Sequence, residues 1–286
     1  MADSRIAGRA PLRILCQHEH GGCAACCGVF NFIDRSAAAE HARLLRRTER
    51  VRAAWPDVEA LAGARDELLA LEGPEILFGG VKVCPFAGYV EEGRVGCLLH
   101  PARHPQGTDL RDLGVYPSEI CGGHFCAPHD WLRAREADLA QSARGVFYGR
   151  VVTDAGLVKA LAKLLDEALG RALRGDELVR AEVELAALWA ALGDWPWRDP
   201  DPARFGGFVF AGNEATERSV PSCLAGLALE VDAPRRAALD ALGTRPLDEA
   251  GALAAIARLD ELVCVVAQAL LAPEPPTDPR RASRHR

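Results

Sequence analysis

No stretch of about 18 or more consecutive apolar residues occurs in the chain, so no helix is expected to span a bilayer. A secretory leader is not expected either. The segment 1–15 carries Arg5, Arg9 and Arg13 among apolar residues and lacks a continuous apolar stretch and a clear cleavage site. Lysine is nearly missing. Lys82, Lys159 and Lys163 are the only ones, and with so much alanine this reads as a GC-rich coding bias rather than chemistry. There is no phosphate loop of the Walker type and no G-x-G-x-x-G after a strand. No G-x-S-x-G nucleophile elbow is present. Phe78-Gly79-Gly80 and Gly206-Gly207 are too short to cradle a phosphate. No internal repeat is visible. A formal charge of −6 argues against a general nucleic-acid binder. With 49% hydrophobic and 26% charged residues in 286, disorder is excluded as the overall state.

Cysteine, by contrast, is abundant, with ten in all. Cys16, Cys23, Cys26, Cys27, Cys84, Cys97, Cys121 and Cys126 all precede residue 130. Cys223 and Cys264 lie alone among apolar residues, where a free cysteine reads as a buried hydrophobe. Secreted disulfide scaffolds are usually short and begin with a signal peptide. This chain is therefore read as cytoplasmic, where clustered cysteines more often serve metal or redox chemistry.

The expected fold is mainly α. A loop-rich, cysteine- and metal-binding module with two helices (1–129) packs against a helical region (130–272), followed by a disordered tail (273–286). Helices are expected at 36–55, with Ser36 as N-cap, and at 57–71, with Pro56 in its first turn. From 76 to 128 glycine and proline recur, and short strands are possible at 81–83 and 95–99. Further helices are expected at 130–143, 154–173, 176–192, 233–242 and 247–271, with 195–202 a loop and 205–210 a short strand or buried turn. Trp189, Trp195 and Trp197 read as core. Asp109, Asp112 and Asp130 read as caps or solvated loop residues.

Three clusters carry the chemistry. The first runs His18-Glu19-His20-Gly21-Gly22-Cys23-Ala24-Ala25-Cys26-Cys27. The second is Cys84-Pro85-Phe86 with Cys97-Leu98-Leu99-His100. The third is Cys121-Gly122-Gly123-His124-Phe125-Cys126. A Cys-x2-Cys turn offers two thiolates to one ion, and the small residues beside it let backbone amides approach the sulfurs. A four-coordinate site needs at least two such turns to converge. The candidate ligands are Cys16, Cys23, Cys26, Cys27, Cys84, Cys97, Cys121 and Cys126, with His20 or His124 able to replace a thiol. His18, His100, His104 and His129 read as loop residues or supports behind the ligands. Adjacent Cys26 and Cys27 point in different directions, which suits two sites or a cluster with a spare thiol. Zinc and an iron–sulfur cluster fit four thiolates about equally. Structural zinc supplies ~10–16 kcal/mol against a domain stability of ~5–15 kcal/mol, so the metal-free N-terminal half is expected to be largely unfolded.

These residues resemble the YkgJ-type cysteine-rich family of zinc- or iron-chelating proteins, over roughly residues 16–126. Cys23, Cys26 and Cys27 match the last three cysteines of that family's Cys-x2-Cys-x2-Cys-Cys start. His20 stands where the first cysteine is expected. Cys84-Pro85-Phe86 matches the middle element, and Cys97 matches the next, with His100 at its aromatic position and Arg103 near its Arg-Pro. Cys121 or Cys126 would close the set. The resemblance implies bound metal. Since relatives include flagellin lysine N-methylases, it also implies an iron–sulfur-dependent enzyme of methyl transfer or redox chemistry as an alternative. A thiol redox sensor using Cys23-x2-Cys26 is the other alternative. Partners are not specified by the sequence.

Overall fold

The computed structural model describes residues 15–18, 21–104, 107–123, 128–145, 147–199, 204–205, 208–211, 214–217, 224, 226–227, 229–245 and 248–273. The expected tail from residue 274 onward, Cys223, and most of 195–210 beyond residue 199 lie outside them.

The chain enters through a hairpin of β1 (Gln17–His18) and β2 (Gly21–Gly22). A single 3-10 turn, Ala25–Cys27, follows. Helix α1 (Ala37–Ala54) starts where the serine predicts it, because Ser36 Oγ accepts the Ala39 amide at 3.3 Å. Asp57 does the same for α2 (Val58–Glu72), accepting from Ala60 at 2.9 Å. Pro56 thus precedes the cap rather than lying in the first turn. Strands β3 (Ala87–Glu91) and β4 (Arg94–Cys97) form an antiparallel pair, with Ala87 opposite Cys97. The segment 81–83 is not a strand. The Val81 amide closes a turn onto Phe78, and the Val81 carbonyl accepts from the Asn31 side chain at 2.9 Å.

Past α3 (Ser118–Gly123), the helix expected over 130–143 divides into α4 (Pro128–Trp131) and α5 (Ala134–Gln141). The Glu136 carboxylate accepts the Arg133 amide at 2.8 Å and starts α5 afresh. Then come α6 (Phe147–Thr153) and α7 (Ala155–Leu169). Asp154 caps α7, and Gly170 ends it at φ 66, four residues short of the expected length, because only glycine takes that conformation freely. Residues Gly175–Ala181 wind as a 3-10 helix before α8 (Glu182–Gly193). Strands β5 (Arg204–Phe205), β6 (Phe208–Ala211) and β7 (Glu214–Glu217) form a small antiparallel sheet. Helix α9 (Ala233–Ala241) and helix α10 (Glu249–Leu271, capped by Asp248) complete the chain.

The fold is mainly α-helical with a small β component. The largest core joins α5 to α10 through residues such as Tyr148, Leu161, Leu164, Leu188, Leu259 and Val266. Two smaller cores lie N-terminal, one around Val51, Leu61, Phe86 and Leu99, the other around Phe30, Leu44 and Val95. Leu15 is buried in the C-terminal core and Cys23 packs against it, whereas Cys84 and Cys97 pack on the first of the smaller cores and Cys27 on the second. Arg150 of α6 pairs with buried Glu40 of α1 and lies over the Phe30 ring at 5.1 Å. Among the described residues, no helix is long and apolar enough to cross a membrane.

Gly22 permits one close approach. A Cβ there would lie 1.7 Å from the Val95 carbonyl oxygen of β4. Gly22→Ala is expected to lower the unfolding free energy by about 1–3 kcal/mol in urea titrations, because that oxygen is backbone and cannot swing aside. A change within about 0.5 kcal/mol would show that the hairpin does not need this contact.

Candidate thiol site

Three connections bring the cysteines of separate segments together. Gly28 follows the Ala25–Cys27 turn at φ 75, and a Cβ on it would meet the Lys82 carbonyl oxygen at 2.4 Å. The turn therefore lies flat against 82–84, and the Cys84 amide donates to the Cys27 carbonyl at 2.8 Å. Cys97 ends β4, and the residue opposite it, Ala87, donates its amide to the Cys84 carbonyl at 3.3 Å. Cys121, on α3, directs its thiol to the Tyr116 carbonyl at 3.9 Å. Cys26, Cys27, Cys84, Cys97 and Cys121 consequently feel one another electrostatically. Cys26 and Cys121 are exposed, whereas Cys27, Cys84 and Cys97 are partly buried.

Burial disfavours the thiolate form of Cys27, Cys84, Cys97 and Cys121. The Cys27 S–H donates to Cys26, and together with burial and the neighbouring thiols this raises its pKa well above the ordinary range. Burial raises Cys84 too, against the amides of Phe86 and Val115 and the Arg47 charge. Cys97 is pushed up to about 12 by burial, opposed by the Leu99 amide and reinforced by Cys84 and Cys121. Cys121 moves the same way, through burial first and Cys84 second, with Arg111 opposing. Asp109 holds Arg111 in place, accepting from its Nε at 2.9 and 3.1 Å and from its Nη2 at 2.6 Å. Behind the site, Arg47 of α1 pairs with Glu72 of α2 and donates to the Cys84 carbonyl at 3.4 Å.

The metal reading is overturned by this geometry. Among the described residues, no group of three or more His, Cys, Asp or Glu side chains is disposed to hold a metal ion. Zinc, an iron–sulfur cluster, and the metal-binding and iron–sulfur enzyme functions built on them are therefore corrected. Metal ligation asks for thiolates converging on one centre. The remaining predicted ligands are placed as follows. Cys16 lies beside His129, 3.9 Å from its Nε2. Cys23 faces the Gly149 carbonyl at 3.9 Å and packs on the C-terminal core. His20, His124 and Cys126 lie outside the described residues. Cys264 is exposed on α10 rather than a buried hydrophobe.

No family model, curated protein or solved structure matches the chain. The site must therefore be interpreted from its own chemistry. Sequence reasoning found the thiols but missed Arg47, Glu72, Arg111 and Tyr116, whose roles come from contacts between distant segments. The one local clue was the Asp109-Leu110-Arg111 spacing, which lets the carboxylate reach its own neighbour's guanidinium.

Proposed function

We propose that the chain is a thiol–disulfide responsive protein, in which the Cys26, Cys27, Cys84, Cys97 and Cys121 cluster takes up oxidising equivalents and cross-links the N-terminal fold. The observation that carries this reading is the gathering of thiols from separate segments by the backbone bonds that join Cys84 to Cys27 and Ala87 to Cys84, with two of the thiols exposed. An exposed thiol is the point of entry. The Cys26 sulfur attacks a low-molecular-weight disulfide, an S–S bond forms to Cys26, and one thiol leaves with the displaced proton. The Cys84 sulfur then attacks Cys26, releasing the second thiol and leaving a Cys26–Cys84 disulfide. Closing that loop of more than fifty residues would stabilise the fold by about 4 kcal/mol. Kinship with the YkgJ-type family through Cys23, Cys26, Cys27, Cys84 and Cys97 belongs to this proposal. So does a cytoplasmic location, where glutathione keeps such thiols reduced until stress.

The test is incubation of the full chain with oxidised glutathione, followed by alkylation, digestion and mass spectrometry. A linked peptide pair containing Cys26 and Cys84, lost in Cys26→Ser, is expected. Cluster thiols that stay free after full oxidant exposure would sink the proposal. So would a stoichiometric metal that copurifies and shields them.

A further inference from the structure

A second pair of thiols shares no residue with that cluster. The hairpin register pairs Gln17 with Gly22 and His18 with Gly21. Continued outward by one residue, the same register sets Cys16 opposite Cys23, and the Cys23 amide indeed donates to the Cys16 carbonyl at 2.9 Å. Directly opposed residues in an antiparallel pair share a face, with Cα atoms about 4.5–5.5 Å apart. A disulfide needs a Cα separation of about 4.4–6.8 Å, so the backbone is already spaced for one.

A base stands next to the pair. Cys16 Sγ is 3.9 Å from His129 Nε2, and that same nitrogen accepts the Leu15 amide at 3.1 Å. Accepting an amide proton marks Nε2 as the lone-pair nitrogen of the ring, so a thiol proton reaches it only in exchange for the Leu15 amide. The other side of Leu15 is held as well, since the Tyr148 hydroxyl donates to its carbonyl at 2.7 Å. The strand that delivers Cys16 is thus pinned between α4 and α6. His18 sets its ring edge against Tyr148, with centroids 4.6 Å apart, and the Cys23 thiol reaches the Gly149 carbonyl at 3.9 Å. Both cysteines are only partly buried, so a small substrate can reach them.

We propose that Cys16 and Cys23 form a dithiol–disulfide exchange site for small disulfides, with Cys16 as the attacking thiol, His129 as its base and Cys23 as the resolving thiol. The Leu15 amide gives up its bond to His129 Nε2, the Cys16 proton passes to that nitrogen, and the sulfur attacks one sulfur of the substrate. The substrate S–S bond breaks, and the leaving thiolate takes the proton from His129. The Cys23 thiol then attacks the Cys16 sulfur, and the second substrate thiol leaves with the Cys23 proton. Two protein thiols become one disulfide, and one substrate disulfide becomes two thiols.

The experiment follows the full chain with oxidised glutathione by quenched alkylation and peptide mass spectrometry, which reads each disulfide separately. A linked Cys16–Cys23 peptide is expected in the wild type. Cys23→Ser should accumulate a glutathione adduct on Cys16. His129→Gln should slow modification of Cys16 at least tenfold while leaving Cys26 and Cys121 unchanged, an outcome that general unfolding would not give. Absence of the linked peptide, or a Cys16 rate indifferent to His129, overturns the assignment. Appearance of the Cys16–Cys23 peptide without the Cys26–Cys84 one would instead remove only the cluster proposal.

Discussion

Arg47→Ala is expected to destabilise the protein by about 3–5 kcal/mol, the range for removing one partner of a buried ion pair. Both side chains are 1% exposed. The guanidinium forks onto the carboxylate, with Nε 3.1 and 3.0 Å from its two oxygens and Nη2 2.5 Å from Oε2. Removing it leaves Glu72 with Arg46 at 3.3 Å, a partner on the solvent side that cannot replace the fork. The Cys84 carbonyl loses a donor at the same time, and the Phe32 ring loses the cation 5.5 Å from its centroid. Arg47→Met combined with Glu72→Leu should recover most of the loss, since well-packed apolar side chains often replace a buried pair at little cost. Urea unfolding of the three proteins decides the matter. A single-mutant loss below about 1 kcal/mol would mean that water reaches Glu72 and the pair behaves as a surface one.

The second large effect is alkaline. Cys97 is held near 12 in the folded chain by burial, while an unfolded thiol titrates several units lower, near 8.5. A raised folded pKa means that the native state keeps its proton longer than the unfolded state. The associated stability is therefore fully present below the unfolded pKa and is lost as pH rises toward the folded one. The window runs from about 9 to about 12, at roughly 1.4 kcal/mol per pH unit for this thiol. Cys27, Cys84 and Cys121 shift in the same direction and steepen the decline. Urea unfolding at pH 8 and at pH 10 should show the wild type losing more than Cys97→Ala, by about 1–2 kcal/mol. Equal losses would show that Cys97 titrates as an ordinary exposed thiol.

Where a side chain acts on its own neighbours, the sequence was readable. Ser36 caps the helix that it announces, and Asp57, Asp154 and Asp248 cap the helices that begin beside them, because a short side-chain oxygen reaches its own backbone without a distant partner. Strand β4 was readable through its apolar run, whereas β3, with Gly88 inside it, gave no such pattern. The segment 81–83 was misread because its composition suits a strand, but its carbonyl is claimed by Asn31, fifty positions away. In the site, spacing located the cysteines but could not show that the Cys84 amide bonds the Cys27 carbonyl or that Cys23 packs on the C-terminal core. It read His129 only as a loop residue or a support behind the ligands, since nothing local ties residue 129 to residue 16.

The clamp on Leu15 has a consequence for biosynthesis. The Tyr148 hydroxyl that holds it is 133 positions further along the chain. At translation rates of about 5–20 residues per second, the amino-terminal cysteines leave the ribosome on the order of ten seconds before α6 exists to receive them. Throughout that interval Cys16 and Cys23 lack the tyrosine and the core that later hold them, and Cys16 lacks His129. The exchange pair is therefore assembled only once α4 and α6 have emerged, and Cys16 of the nascent chain is expected to exchange disulfides more slowly than that of the finished protein.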